Sequence, residues 1–461
     1  MTIFGALESG RSALKAQFKG MEVSGQNVAN ANTPGYSRQR VELSPAVPAP
    51  VAGMSYNPGY GVQITAITRL RSEFYHTQTL NSGSYRSYWQ MRFEAFQGAE
   101  VIFMEPGENG LSGYLGDFFD SWQELSGSPE SAAVRMSLRE QAVSFTRAVQ
   151  DTYLRLTDLR LDLQHELEKR VVEINQLAAE AAALNDQIIF AGALGESSNA
   201  LMDQLDLVLE QLSGLIDIRV YRKDNGAVEL FAGGRLLVQD QHFYPLSLQA
   251  EGGRLTLVSS REIPLELRSG RVKGLLEAVN DAIPGLQGEL DEIIYGLVEE
   301  VNRLHVSAYG LDGSANQDFF AAIDDQHSVP ASLQFKLSEA VLDDIAVIAA
   351  ASRSGEPGNG ETALFIARLR DQVGERGIPL MDSYRGIISA LGVEGRESGR
   401  MAEAFGKAES QLREQHLSVT GVNLDEEMLN MIQYQHAWQA AANFISQVDR
   451  MLEILFMQLS R

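Results

Sequence analysis

The chain contains no cysteine in 461 residues. Disulfides, thiolate nucleophiles and cysteine-held zinc are therefore excluded. Basic residues are scarce. There are 38 lysines and arginines against 61 aspartates and glutamates, a formal net charge of −23. A nucleic-acid binder needs a basic face to displace counterions, and docking on anionic lipid needs the same sign, so neither class fits. Acidity of this size keeps an exposed protein in solution. Only 13 prolines and 41 glycines occur, too few for long low-complexity stretches. No run of about 18 apolar residues is present, so no membrane-spanning helix is expected. The segment from Met1 to Val28 carries Glu8, Arg11, Lys15, Lys19 and Glu22 and lacks the apolar core of a signal peptide.

Signals for catalysis or metal binding are equally sparse. The seven histidines are scattered, and no HExxH, P-loop or GxSxG string appears. Asp312, Ser314, Asn316 and Asp318 alternate like the start of a calcium loop. Gln317 stands where that loop needs glycine, and Ile323 where it needs a bidentate glutamate. Ser12-Ala13-Leu14-Lys15 spells Ser-x-x-Lys without its companion motifs. Neither an enzyme nor a cofactor or metal site is expected.

The pattern that is present is mostly helical, and the length suggests roughly two to four domains. A helix is expected over 3–30, with apolar residues at Ile3, Leu7, Leu14, Phe18, Met21 and Val28. Asn32-Thr33-Pro34-Gly35 breaks it. Residues 41–68, with Pro45, Pro48, Pro50 and Pro58, read as an extended arm with short strands. Helices follow over 70–104, 111–125 and 197–212. Between the last two, 131–191 has neither proline nor glycine and predicts one helix of about 60 residues. From 216 to 268 the period drops to two, with Asp224-Asn225-Gly226, Gly233-Gly234 and Gly252-Gly253 at hairpin spacing. This predicts a small antiparallel β unit inserted into a helical protein. Helix returns over 272–309, with a kink at Pro284-Gly285, then strands at 333–337 and 345–349. The final helices are expected over 361–373, 380–417 and 424–459.

The last helix has the clearest seam: Met431, Tyr434, Trp438, Ala441, Ile445, Val448, Leu452, Leu455 and Leu459, at spacings of three and four. Asn423 with Glu426 three residues later fits its cap. Two apolar helices at opposite ends of one chain are expected to pair. Charge follows the same division: net +1 over 1–36, −3 over 425–461, and −21 between them.

Asn27-Val28-Ala29-Asn30-Ala31-Asn32-Thr33-Pro34-Gly35-Tyr36-Ser37-Arg38 resembles the N-terminal signature of flagellar rod, hook and hook-associated proteins. Ser418-Val419-Thr420-Gly421-Val422-Asn423-Leu424-Asp425-Glu426-Glu427-Met428, followed by 433–442, is similar to the C-terminal signature of the FlgK family. Residues 198–206 and 316–320 resemble the same family. The resemblance implies a mainly α fold with inserted β. The parts would be a terminal coiled-coil assembly domain (1–36 with 425–461), a long helical-bundle domain with an extended arm (37–215, 269–310 and 361–424), and a small antiparallel β outer domain (216–268 and 311–360). It implies a secreted structural subunit of the extracellular hook–filament junction, self-assembled as a ring. Its expected partners are the hook protein, the second junction protein FlgL, and the export chaperone FlgN on the C-terminal helix. An extra outermost domain of longer members is expected to be reduced. The alternatives are a hook or distal-rod subunit, or a hydrolase carried on a flagellar scaffold.

Overall fold

A computed structural model describes residues 3–46, 61–105, 107, 110–323, 329–371 and 379–459, without the side chains of 3, 4 and 459. Helix α1 (Ile3–Ala29) stops just ahead of the Asn32-Thr33-Pro34-Gly35 turn. Strands β1 (Gln39–Pro45) and β2 (Val62–Arg69) pair antiparallel and form the arm; Pro48, Pro50 and Pro58 lie outside the described residues. Next come α2 (Glu73–Phe103), α3 (Leu111–Gly127), α4 (Ala132–Ala193) and α5 (Asn199–Leu215). Pro106, an expected stop for α2, also lies outside the described residues. α4 spans 62 residues because nothing in it breaks the helical ladder. It ends at Gly195, whose φ of +73° lets the Glu196 N–H reach back to Ala191 O at 2.9 Å.

The alternating stretch forms two sheets. β3 (Ile218–Arg222), β4 (Val228–Ala232), β5 (Arg235–Gln239) and β6 (His242–Phe243) make a four-stranded antiparallel meander. β7 (Ser247–Glu251) and β8 (Arg254–Val258) make a separate hairpin. The Gly233-Gly234 and Gly252-Gly253 turns both have positive φ, which matches the right-handed twist of the flanking strands.

Helix α6 (Arg271–Glu277) runs through a π-helical turn, Ala278–Ala282, into α7 (Ile283–Val306). Pro284 has no N–H to donate, and the ladder widens just ahead of it. The chain continues through α8 (Ala331–Gln334), α9 (Glu339–Asp343) and α10 (Glu361–Arg368), then α11 (Leu380–Thr420) and α12 (Leu424–Leu459). The strand expected at 345–349 is instead a 3₁₀ turn, Ile345–Val347, because Asp344 Oδ1 captures the Ala346 N–H at 2.8 Å. The strand expected at 333–337 is the end of α8 plus a single bridge from Leu337 to Phe320.

The chain forms two compact units. One comprises Met1–Ser84, Asn175–Pro245 and Phe405–Arg461; the other comprises Tyr85–Ile174 and Leu246–Ala404. In the first, Leu205, Leu209 and Leu212 of α5 pack in a core with Ile188 of α4 and Val228, Leu230 and Val238 of the meander. Asn185 is fully buried there. It donates to Val228 O at 2.8 Å and Asp240 O at 3.0 Å and accepts from Val228 N at 2.8 Å.

The core of the second unit is aromatic: Phe118, Phe119, Trp122, Phe145, Phe319, Phe320 and Phe335, with neighbouring ring centroids 4.8–6.4 Å apart. The Asn-Gln-Asp-Phe-Phe string at 316–320 is delivered into it by Asn302, whose Oδ1 accepts from Phe319 N and Phe320 N at 3.0 and 2.9 Å. α11 runs unbroken past five glycines. Gly399 leaves space for the Phe93 ring of α2, which a Cβ there would meet at 3.1 Å.

Candidate functional site

The two chain ends come together in the first unit. α1 presents a face of small residues: Gly10, Ala16, Gly20 and Ser24 are buried along it. α12 supplies the bulk. A Cβ on Gly10 would sit 2.6 Å from Ile445 Cγ1, and one on Gly20 would sit 2.6 Å from the Tyr434 ring. The helices thus approach closely because one of them carries no side chain at the contacts.

Of the α12 seam, Val448 is buried; Met431, Tyr434, Ala441, Ile445 and Leu452 are half-buried; and Trp438 and Leu455 are partly open. The large apolar residues singled out on α1 lie on another stripe. Leu7, Leu14, Met21 and Val28 are half-buried, and Phe18 is 59% exposed. The side chains of Ile3 and Leu459 lie outside the described residues. Met428, Leu429, Ile432, Met451, Ile454 and Met457 of α12 are all exposed.

The turn after α1 is tied to the start of α12 by a polar lock. Asn27 is 1% exposed. Its Nδ2 donates to Gln39 O at 2.9 Å and to Glu427 Oε2 at 3.1 Å. Its Oδ1 accepts from the Tyr36 hydroxyl and from Gln39 N, both at 2.9 Å. Glu427, 2% exposed, also takes Arg38 Nε at 2.7 Å, while Arg38 Nη1 reaches Glu426 at 2.8 Å. Burial, with the nearby Asp203 and Glu427 charges, pushes the Tyr36 phenol up to about 12.

Asn423 caps α12, its Oδ1 accepting from Asp425 N at 3.0 Å and Glu426 N at 3.4 Å. The Glu426 carboxylate turns to Arg38. Asn30 closes the turn through Gln26 O and Thr33 Oγ1, at 3.0 and 3.2 Å. Gly35 has φ of +78°, and a Cβ there would meet Leu207 at 2.7 Å. Asn32, Thr33 and Pro34 stay exposed.

A second group of charges was not apparent from the sequence. Asp203 and Asp206, one turn apart on α5, hold the arm. Arg69 Nη1 lies 2.7 Å from Asp203 and 3.0 Å from Asp206, and Arg222 Nη2 lies 2.6 Å from Asp206. Arg71 also pairs with Asp206. Burial alone would raise Asp206, but Arg71, Arg222 and Arg69 hold it well below the carboxylate range. Asn199 donates to Gln39 Oε1 and Ile67 O at 3.1 and 2.9 Å. The sequence signal was three acids and amides (199, 203, 206) on the inward face of an otherwise apolar helix. Asp312, from the abandoned calcium reading, folds back on its own loop and accepts from Ser314 N at 2.9 Å.

Residues 96–320 match the family model described as flagellar hook-associated protein FlgK helical domain. Residues 413–456 match the C-terminal model of flagellar basal body rod FlgEFG proteins, and 7–36 match that of the flagella basal body rod protein. Flagellar hook-associated protein 1 of Bacillus subtilis (strain 168) is 27% identical over 495 aligned residues, covering 98% of this chain and 97% of that relative. The Salmonella typhimurium protein of the same name is 28% identical over 325 residues, covering 67% of this chain and 58% of its own length. The fold is similar to that of the flagellar hook junction protein FlgK from Burkholderia pseudomallei. The TM-score is 0.66 at 14% identity, covering 75% of this chain and all of that one.

Proposed function

This chain belongs to the FlgK family of flagellar hook-associated proteins, and from that premise we propose that it assembles through its terminal helices into the ring joining hook to filament. As a hook-associated junction protein it is a structural component of the flagellum. The observation that carries the assembly reading is the state of α1 and α12. They pair within the chain, yet Phe18, Met428, Ile432, Met451, Ile454 and Met457 remain exposed. Apolar surface on this scale marks a contact with other chains.

In this reading 1–36 with 425–461 is the assembling part, and the strongly acidic remainder stays in solvent. Neighbouring copies, the hook protein on one side and FlgL on the other would cover the exposed faces. FlgN would shield α12 before export, and the assembled ring would lie outside the cell. We read the role as structural rather than catalytic, as the names of its relatives indicate. The family match over 96–320, which includes all of α4, favours this reading over a hook or distal-rod subunit.

Removal of residues 425–461 tests the proposal in cells lacking the native protein. Hooks without filaments, with filament subunit lost to the medium, are the expected result. Normal filaments would overturn it.

A further inference from the structure

α12 holds four of the chain's 13 methionines within 36 of its 461 residues. Met431 lies half-buried in the seam. The other three stand on the open side of the helix: Met428 is 56% exposed, Met451 57% and Met457 65%. Residues three or four apart share a helix face. Met428 therefore neighbours Ile432, and Met451, Ile454 and Met457 follow one another at that spacing. Both isoleucines are exposed as well. The three thioethers thus belong to the apolar side of α12 that the chain leaves open.

In a chain without cysteine, no thiol competes with these thioethers for a two-electron oxidant. With hydrogen peroxide, the sulfur lone pair forms an S–O bond as the O–O bond breaks. The departing oxygen takes the proton of the transferred hydroxyl and leaves as water. The thioether is oxidised to a sulfoxide, and the peroxide is reduced. Access decides which sulfurs react. Met91 and Met381, at 2% and 5% exposure, are shielded. Met104 and Met136 are open, but they lie in the second unit.

A thioether packs as a flexible apolar group, whereas a sulfoxide is polar and accepts hydrogen bonds. Covering it with apolar surface strips its oxygen of water and leaves it unpaired, which costs free energy. The pairing of α1 with α12 does not bury these three side chains, so oxidation leaves it intact. A contact that covers the open side would bury them.

From this placement we infer that Met428, Met451 and Met457 form an oxidation site, through which peroxides disable the open face of α12 as a contact surface in the proposed assembly.

The test uses the purified full chain before and after treatment with hydrogen peroxide. Peptide mass mapping of the monomer is expected to find sulfoxide at 428, 451 and 457 forming about tenfold or more faster than at 91 and 381. Rates as slow as those of the shielded pair would overturn the site. Treated and untreated chains are then offered to hooks of cells lacking the native protein, and the protein retained is measured. Each sulfoxide buried without a donor is expected to weaken retention about tenfold. Met428→Leu, Met451→Leu and Met457→Leu together are expected to abolish the peroxide effect, read against that variant's own untreated level. Met104→Leu with Met136→Leu is expected to leave the effect in place, and its disappearance there would move the site to the second unit and overturn the inference. Equal retention of treated and untreated chain, or an equal peroxide loss in the triple variant, would overturn the oxidation site while leaving the assembly standing. Failure of the untreated chain to bind hooks would overturn the assembly and the oxidation site with it.

Discussion

His305 offers a measurable consequence of how the second unit is built. Its ring is fully buried between the 316–320 string and the 345–349 turn. Nδ1 lies 2.7 Å from Gln317 O, and Nε2 accepts from Ala349 N at 2.8 Å. A carbonyl on one side and an N–H on the other permit one form only: neutral, with the hydrogen on Nδ1. Burial, only partly offset by the Gln317 carbonyl and reinforced by Arg135, holds the ring at about 4.

An unfolded histidine titrates near 6.5, so the unfolded chain takes up the proton first as pH falls. Stability from this group is complete above about pH 6.5 and drains away between there and about 4. At pH 5 the loss is about 2 kcal/mol. Urea unfolding at pH 7.5 and 5, followed by Trp122 emission in a Trp89→Phe, Trp438→Phe background, reads it directly. The Trp122 ring is 6.3 Å from His305. His305→Gln lowers stability at both pH values but removes this increment, so its acid loss should be about 2 kcal/mol smaller. The other histidines cancel in the difference. Equal acid losses in the two proteins would refute the single-tautomer account.

Three further outcomes are expected. Glu427→Ala strips Arg38 and Asn27 of a buried carboxylate and should cost about 2–3 kcal/mol, less than a wholly buried pair because Arg38 keeps Glu426 and some solvent. Hydrogen exchange in α1 and α12 of the monomer should then rise about 30-fold or more, and unchanged protection would sink the lock. Gly20→Val drives a branched side chain into the Tyr434 ring and should lower stability by about 1–3 kcal/mol in thermal melts. Gly25→Ala, with nothing within 4 Å, should be neutral or stabilising by up to about 1 kcal/mol.

Much of the architecture was legible because it rests on local rules. Absence of proline and glycine gave α4, paired glycines gave two hairpins, and Asn423 gave the start of α12. The polar lock was not legible, because Arg38 and Glu427 are 389 positions apart and neither stands out among 99 charged residues. The acids of α5 were visible only as departures from an apolar face. The 345–349 turn was misread because alternating Ile345, Val347 and Ala349 mimic a strand. One carboxylate, Asp344, decides otherwise by taking the Ala346 N–H.

The α1 contact face was hidden for a different reason. Hydrophobic periodicity counts large side chains, and this face is made by their absence. Gly10 and Gly20 meet α12, and Ala16, Val23, Ser24 and Asn27 are buried beside them, so a search for leucine-like spacing selects the neighbouring stripe of Leu7, Leu14, Phe18 and Met21. The two stripes are suited to different tasks. Small residues let α12 approach closely and fix the pairing within one chain, with Asn27 and Glu427 setting its end point. The large residues beside them are then left half-covered or open. Burying Phe18 and the outer residues of α12 requires surface that the described residues do not supply to them. In the proposed reading other chains supply that surface, and the acidic middle stays free to remain in water.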